Sequence, residues 1–244
     1  MAKIFWSWRE VTNEIDGSKT DELRIDGYIG EESWFYDTAT PEQFKRELDR
    51  RKGDLTIWIN SGGGECFAAA QMYNMIKEYG KEKGRITVKI DALAASAASV
   101  IAMAGDTVLM SPVSLMMIHN PATFAFGEVA DFEKAIGALT EVKESIINSY
   151  IARTNLPRKE IADMMDSETW LNAKAAVEKR FADGSLYIES EDAIKNMESQ
   201  TFNRRTQFDI VASAFNKKFK PPEQPGKIDA DKIIKLYDRL YALR

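Results

Sequence analysis

Two short alternating segments, each running straight into a stretch of very small residues, constrain what this chain can fold into. Residues 54–60 (DLTIWIN) place Leu55, Ile57 and Ile59 on one side and lead into Ser61, Gly62, Gly63 and Gly64. Residues 85–91 (RITVKID) repeat the pattern with Ile86, Val88 and Ile90, followed by a small-residue run over 92–104. A period of two over this length marks a strand with one buried face. Between the two segments, Met72, Met75, Ile76 and Tyr79 fall three or four apart. That spacing predicts a helix over 65–79, with Gly80 as a left-handed stop. Alternating strands and helices predict an α/β domain rather than a sandwich or a bundle.

Other elements follow from the same reading. Thr40 as cap, Pro41 at the first position, Gln43 closing a capping box and Gly53 at the end predict a short helix over 40–53. Residues 107–110 and 114–118 are short and apolar, as buried strands are. Residues 128–153 carry Val129, Phe132, Ile136, Leu139, Ile146 and Tyr150 along one stripe, which predicts a long amphipathic helix able to pack in an oligomer. After residue 190 a polar, helical stretch is expected to 218, then a break at 221–226 (PPEQPG). Ile233, Leu236, Tyr237 and Leu240 then form an apolar stripe suited to docking on the parent domain or a neighbour. The organisation expected is a domain over 1–190 with a helical extension over 191–244.

Composition narrows the chemistry. The formal net charge of −5 gives no general attraction to nucleic acid. One cysteine and one histidine cannot supply the usual zinc ligands, so metal catalysis through His or Cys is not expected. Residues 1–10 lack a leader pattern and no apolar run reaches the length of a membrane span, so a soluble, cytoplasmic protein is expected. The lone histidine, His119, is the single candidate for a histidine general base. Ser96 lies in Ala94-Ala95-Ser96-Ala97-Ala98-Ser99, after a strand and at the start of a helix, where a nucleophilic hydroxyl can be exposed beside helix amides. Ser99 is its rival, and tight helix packing would also explain the small residues. The glycines at 62–64 offer further backbone donors, whereas the phosphate-binding GxxxxGK[ST] pattern is absent. Cys66 reads as a packed residue of the following helix rather than a thiol nucleophile.

Taken in order, these pieces resemble the Clp protease proteolytic subunits and their relatives in tailed-phage head maturation. Residues 59–64 (INSGGG) are similar to the family's INSPGG loop, residues 94–97 (AASA) to its nucleophile segment, and residues 117–121 (MIHNP) to its MIHxP segment. The resemblance spans roughly residues 54–183. It implies a spiral of ββα units with a long handle helix, Ser96 as nucleophile and His119 as base. Residues 170–173 (WLNA) are similar to the family's FLSA segment, which places Glu168 at the triad acid; Asp166 and Asp163 are the substitutes. The backbone amides of Gly64 and Ala97 are then the candidate oxyanion hole. The resemblance implies no cofactor; the implied partners are polypeptide substrates and further copies of the chain, in a ring or stacked rings. Gly62 replaces the loop's proline, Leu93 a glutamine and Arg180 a glycine. With the residues beyond 190, these departures point to the phage-type branch, acting on capsid and scaffold proteins in the cytoplasm of an infected cell. The alternatives are a housekeeping Clp subunit working with an AAA+ unfoldase, a crotonase-like acyl-CoA enzyme, and an inactive ring-forming assembly protein.

Overall fold

The computed structural model describes residues 5–12, 19–30, 41–188, 193–194 and 196–198, together with the backbone of 201–203. All of them fall within one compact unit, Met1–Arg204. Strands β3 (Leu55–Gly64) and β4 (Ile86–Ala95) run parallel, joined by helix α2 (Cys66–Glu82). Leu55, Ile57 and Ile59 of β3 and Ile86, Val88 and Ile90 of β4 are all buried, and they pack with Ala68, Ala69, Met72, Met75, Ile76 and Tyr79 of α2. Fully burying each such isoleucine contributes roughly 1.5–3 kcal/mol, which is why the period-two and period-3.6 patterns face each other.

The sheet is wider than the sequence pattern indicates. Strands β1 (Trp6–Thr12) and β2 (Lys19–Ile29) form an antiparallel pair ahead of β3, and β2 runs parallel to β3. This pair is fastened to helix α1 (Pro41–Asp49) by Glu47, whose Oε2 accepts from the indole N–H of Trp6 (2.7 Å) and of Trp8 (2.8 Å). The expected loop at 61–64 is extended strand instead. Tyr28 and Ile29 of β2 stay in register with Gly63 and Gly64, because at Gly64 a Cβ would lie only 1.9 Å from the Ile29 carbonyl oxygen. Glycine permits the approach.

Strand β4 divides between two neighbours. Its first half pairs with β5 (Thr107–Met110) and its second half, Leu93 to Ala95, with β6 (Leu115–Ile118). Between β4 and β5 the small-residue run holds the short helix α3 (Ala97–Ala102). From β6 the chain enters α4 (Val129–Thr154), opened by a capping box between Glu128 and Asp131, and then α5 (Arg158–Asp166). Strand β7 (Thr169–Asn172) pairs antiparallel with β6, followed by α6 (Ala173–Glu178) and by β8 (Gly184–Ser185) beside β5. The mixed α/β architecture expected from the strand–helix alternation is the one observed.

Two local expectations are corrected, at Gly80 and after residue 190, while the long helix expected over 128–153 is observed as α4. Helix α2 passes through Gly80 and ends at Glu82, where the Lys83 N–H donates to the Tyr79 carbonyl; Gly80 makes room for Ile86, 3.2 Å from where its Cβ would stand. On α4, Tyr150 is buried but Val129, Phe132 and Ile136 are exposed, so only the C-terminal part of the stripe meets the core. Within the expected helical stretch after 190, Thr201–Asn203 form strand β9, paired with β7. The capping Thr40, the break at 221–226 and the stripe from Ile233 to Leu240 lie outside the described residues.

Arg180 marks the end of α6 in a left-handed conformation, φ 62°, a position glycine normally takes. Its N–H donates to the Val177 carbonyl, and the Phe181 N–H donates to that of Ala176. We predict that Arg180→Gly is neutral or stabilising, by at most about 1 kcal/mol, since relief of left-handed strain is offset by lost chain stiffness. Arg180→Val should destabilise by about 1 kcal/mol or more. Urea unfolding checks both, and a clear loss of stability in the glycine variant would contradict the conformational reading.

Candidate active site

Three strand ends converge on one point. Where β4 gives way to α3, Ser96 takes φ 55° and ψ −124°, a conformation rare for a residue with a side chain. Both of its backbone groups are engaged: the N–H donates to the Met117 carbonyl (2.9 Å), and the C=O accepts from the Ser99 N–H (3.0 Å). The sharp turn leaves the Ser96 side chain partly exposed at the end of β4.

His119 is the first residue past β6, and the β4–β6 pairing delivers it to the serine. Its Nε2 lies 2.8 Å from Ser96 Oγ. The β6–β7 register runs from Leu115↔Asn172 to Ile118↔Thr169, so the next position along sets Glu168 opposite His119. Glu168 itself is left-handed, φ 48°, at the turn from α5 into β7. Burial pushes the imidazole below its ordinary pKa of 6.5, and the negative charge of Glu168 pulls it part of the way back. The two substitutes are engaged with other groups: Asp166 accepts from Asn120 Nδ2 (2.8 Å) and Lys143 Nζ (2.5 Å), and Asp163 pairs with Lys159 (2.6 Å), while Glu168 Oε1 accepts from the indole N–H of Trp170 (3.4 Å).

The rival nucleophiles are placed unfavourably. Ser99 is fully buried, with its hydroxyl donating to the Ser96 carbonyl. The Cys66 thiol is pushed up by burial and by neighbouring Glu65, which keeps it in its weakly nucleophilic protonated form.

The glycine run closes the site from β3. Ser61 Oγ donates to the Gly27 carbonyl (2.5 Å) and accepts from the Gly63 N–H (3.0 Å), which fixes the strand end. Gly63, at φ 96°, lies directly against Ser96; a Cβ there would meet Ser96 Cβ at 2.7 Å and the Ala97 nitrogen at 2.9 Å. The sequence pattern marked the glycines as a group, and the packing singles out Gly63 as the one that leaves space beside Ala97 N–H. A cavity of about 270 Å³ opens next to Ser96 and His119, with Ala69 and Ala70 of α2, Val100 of α3 and Ile146 of α4 among its walls. No Asp, Glu, Lys or Arg side chain lines it, so it suits a neutral side chain. Among the described residues there is no cluster of metal-ligating side chains, and no helix is long and apolar enough to cross a membrane.

The family model for Clp protease matches residues 43–186. Over 135 residues the chain is 28% identical to the ATP-dependent Clp protease proteolytic subunit of Porphyromonas gingivalis, covering 54% of this chain and 60% of that protein. It is 30% identical over 137 residues to proteolytic subunit 1 of Chlamydia pneumoniae, covering 54% and 70% respectively. It is 24% identical over 140 residues to the chloroplastic subunit 6 of Arabidopsis thaliana, covering 57% and 51%. The chain thus spans between half and seven-tenths of the length of these relatives.

The electrostatics predict a pH signature. A serine that relies on a histidine base reacts only while the imidazole is neutral, so labelling of Ser96 by a fluorophosphonate should be lost as pH falls through an imidazole pKa below 6.5. Glu168→Gln removes the charge that raises that pKa. The acid limb of the profile should therefore move to still lower pH, while the plateau rate falls about 10²- to 10⁴-fold. An unchanged limb and plateau would remove Glu168 from the site.

Proposed function

The chain belongs to the Clp protease family, and from that premise we propose that it is a serine endopeptidase with Ser96 as nucleophile, His119 as general base and Glu168 as the orienting acid. The observation that carries the proposal is the 2.8 Å approach of His119 Nε2 to Ser96 Oγ at a strained strand-to-helix turn. Ser96 Oγ attacks the peptide carbonyl while its proton passes to His119 Nε2; the imidazolium then protonates the leaving amine as the C–N bond breaks. Water, deprotonated by His119, attacks the acyl-enzyme and returns the free serine. Glu168 sets the tautomer of the neutral imidazole and stabilises the imidazolium once it forms.

The amides of Gly64 and Ala97 are the proposed oxyanion donors, with the bare Cα of Gly63 leaving the carbonyl oxygen room beside Ala97. One such donor is worth about 3–4 kcal/mol in the transition state. The neutral cavity beside Ser96 receives the side chain preceding the cut, and polypeptides reach it inside a ring of identical subunits. The Ser96–His119 pair disfavours the crotonase-like alternative, which needs carboxylate acid–base groups, and it equally disfavours an idle site.

Two substrate settings fit this chemistry. The relatives in Porphyromonas, Chlamydia and Arabidopsis are named ATP-dependent, which favours a partner unfoldase. Gly62, Leu93 and the residues beyond 190 depart from the housekeeping pattern and favour capsid and scaffold cleavage in phage head assembly.

Purified protein is expected to cut unfolded casein, and Ser96→Ala to lose at least about 10³-fold in rate. Dependence on ATP and an AAA+ unfoldase would assign the housekeeping setting, and unassisted cleavage of capsid or scaffold protein the phage one. Undiminished cleavage by Ser96→Ala would overturn the peptidase assignment to this site.

A further inference from the structure

The proposed mechanism makes no use of the most deeply buried phenol near the site. Tyr150, on α4, is 1% exposed, and its hydroxyl lies 2.8 Å from Ser99 Oγ. The direction of that hydrogen bond follows from counting protons. Ser99 has one hydroxyl hydrogen, and it is committed to the Ser96 carbonyl oxygen at 2.5 Å, an atom that can only accept. Tyr150 is therefore the donor to Ser99, and Ser99 the donor to Ser96. Burial holds the phenol above its ordinary pKa, so it keeps the proton it donates.

Tyr150 is itself fixed. Thr154 Oγ1 donates to its backbone carbonyl (2.8 Å), and its ring meets Phe181 with centroids 5.6 Å apart. The chain of bonds ends on the Ser96–Ala97 peptide. That unit is planar, so holding the Ser96 C=O fixes the direction in which the Ala97 N–H points on the opposite side. At φ 55° the Ser96 backbone has little intrinsic preference for this arrangement, and its neighbours must hold it there.

We propose that Tyr150 and Ser99 are positioning residues, which through the bonds Tyr150 Oη–H to Ser99 Oγ and Ser99 Oγ–H to Ser96 O aim the Ala97 amide at the developing oxyanion and keep Ser96 Oγ on His119. The proposal rests on the serine-nucleophile reading above. Its consequence is that the seating of α4 is felt at the nucleophile: Tyr150, at the wall of the cavity beside Ser96 and 1% exposed, acts on the serine through Ser99.

The test uses the full chain and the double variant Ser99→Ala with Tyr150→Phe, which removes both polar partners together and leaves no buried hydroxyl unpaired. End-point labelling by a fluorophosphonate counts competent sites, and the rate constant per labelled site reads positioning. The double variant should label about tenfold more slowly per site, with a matching fall in kcat for a peptide substrate, unchanged KM and an unshifted acid limb. Tyr150→Phe alone should slow it about threefold. A wild-type rate per site in the folded double variant overturns the proposal. If the double variant does not fold, Tyr150→Phe decides: a wild-type rate per site overturns it and a slower one supports it. Failure of the underlying reading is distinct, since the wild-type chain would then not label at Ser96 at all.

Discussion

The strained turn at Ser96 is the constraint on which the site depends. A residue with a side chain at φ 55° costs on the order of 1–3 kcal/mol and persists only where its surroundings over-determine it. Here β6 takes the Ser96 N–H through Met117, and α3 supplies two donors to its carbonyl through Ser99. The bond to Met117 does two jobs, because the strand that accepts it continues one residue past Ile118 to deliver His119. Pairing of β7 on β6 then brings Glu168 alongside. Each member of the site arrives at the end of an element whose register is set by core packing, so small errors of placement are suppressed.

Splitting β4 between two neighbours makes this geometry available. Its first half, paired with β5, is anchored by Val88 and Ile90 in the core; its second half, paired with β6, carries the chain to the serine. Side chains shrink to alanine where the strand ends, and glycines line the facing end of β3. Close approach of backbone to backbone replaces side-chain packing there. Gly64 against Ile29 and Gly63 against Ser96 leave no room for a Cβ, so these positions bind the sheet edge and the site together.

Much of this was legible in the sequence because burial and periodicity are local signals. Leu55, Ile57 and Ile59, or Met72, Met75 and Ile76, declare their faces without reference to the rest of the chain. His119 was legible by being the only histidine. The β1–β2 pair was not, since Trp6, Trp8 and Glu47 make sense only once α1 has folded onto it. The choice of Ser96 over Ser99 depended on family resemblance; the structure supplies a physical reason, the burial of Ser99 beneath Tyr150. Likewise, Arg180 looked like a simple departure from a family glycine until its left-handed backbone showed why glycine suits that position.

The account stands or falls on which oxygen is the nucleophile. Tandem mass spectrometry of the full chain after reaction with a fluorophosphonate locates the adduct directly. A single adduct on Ser96, lost in His119→Ala, is the predicted result. An adduct on Ser99 or on any other residue, or labelling of Ser96 undiminished without His119, would contradict it.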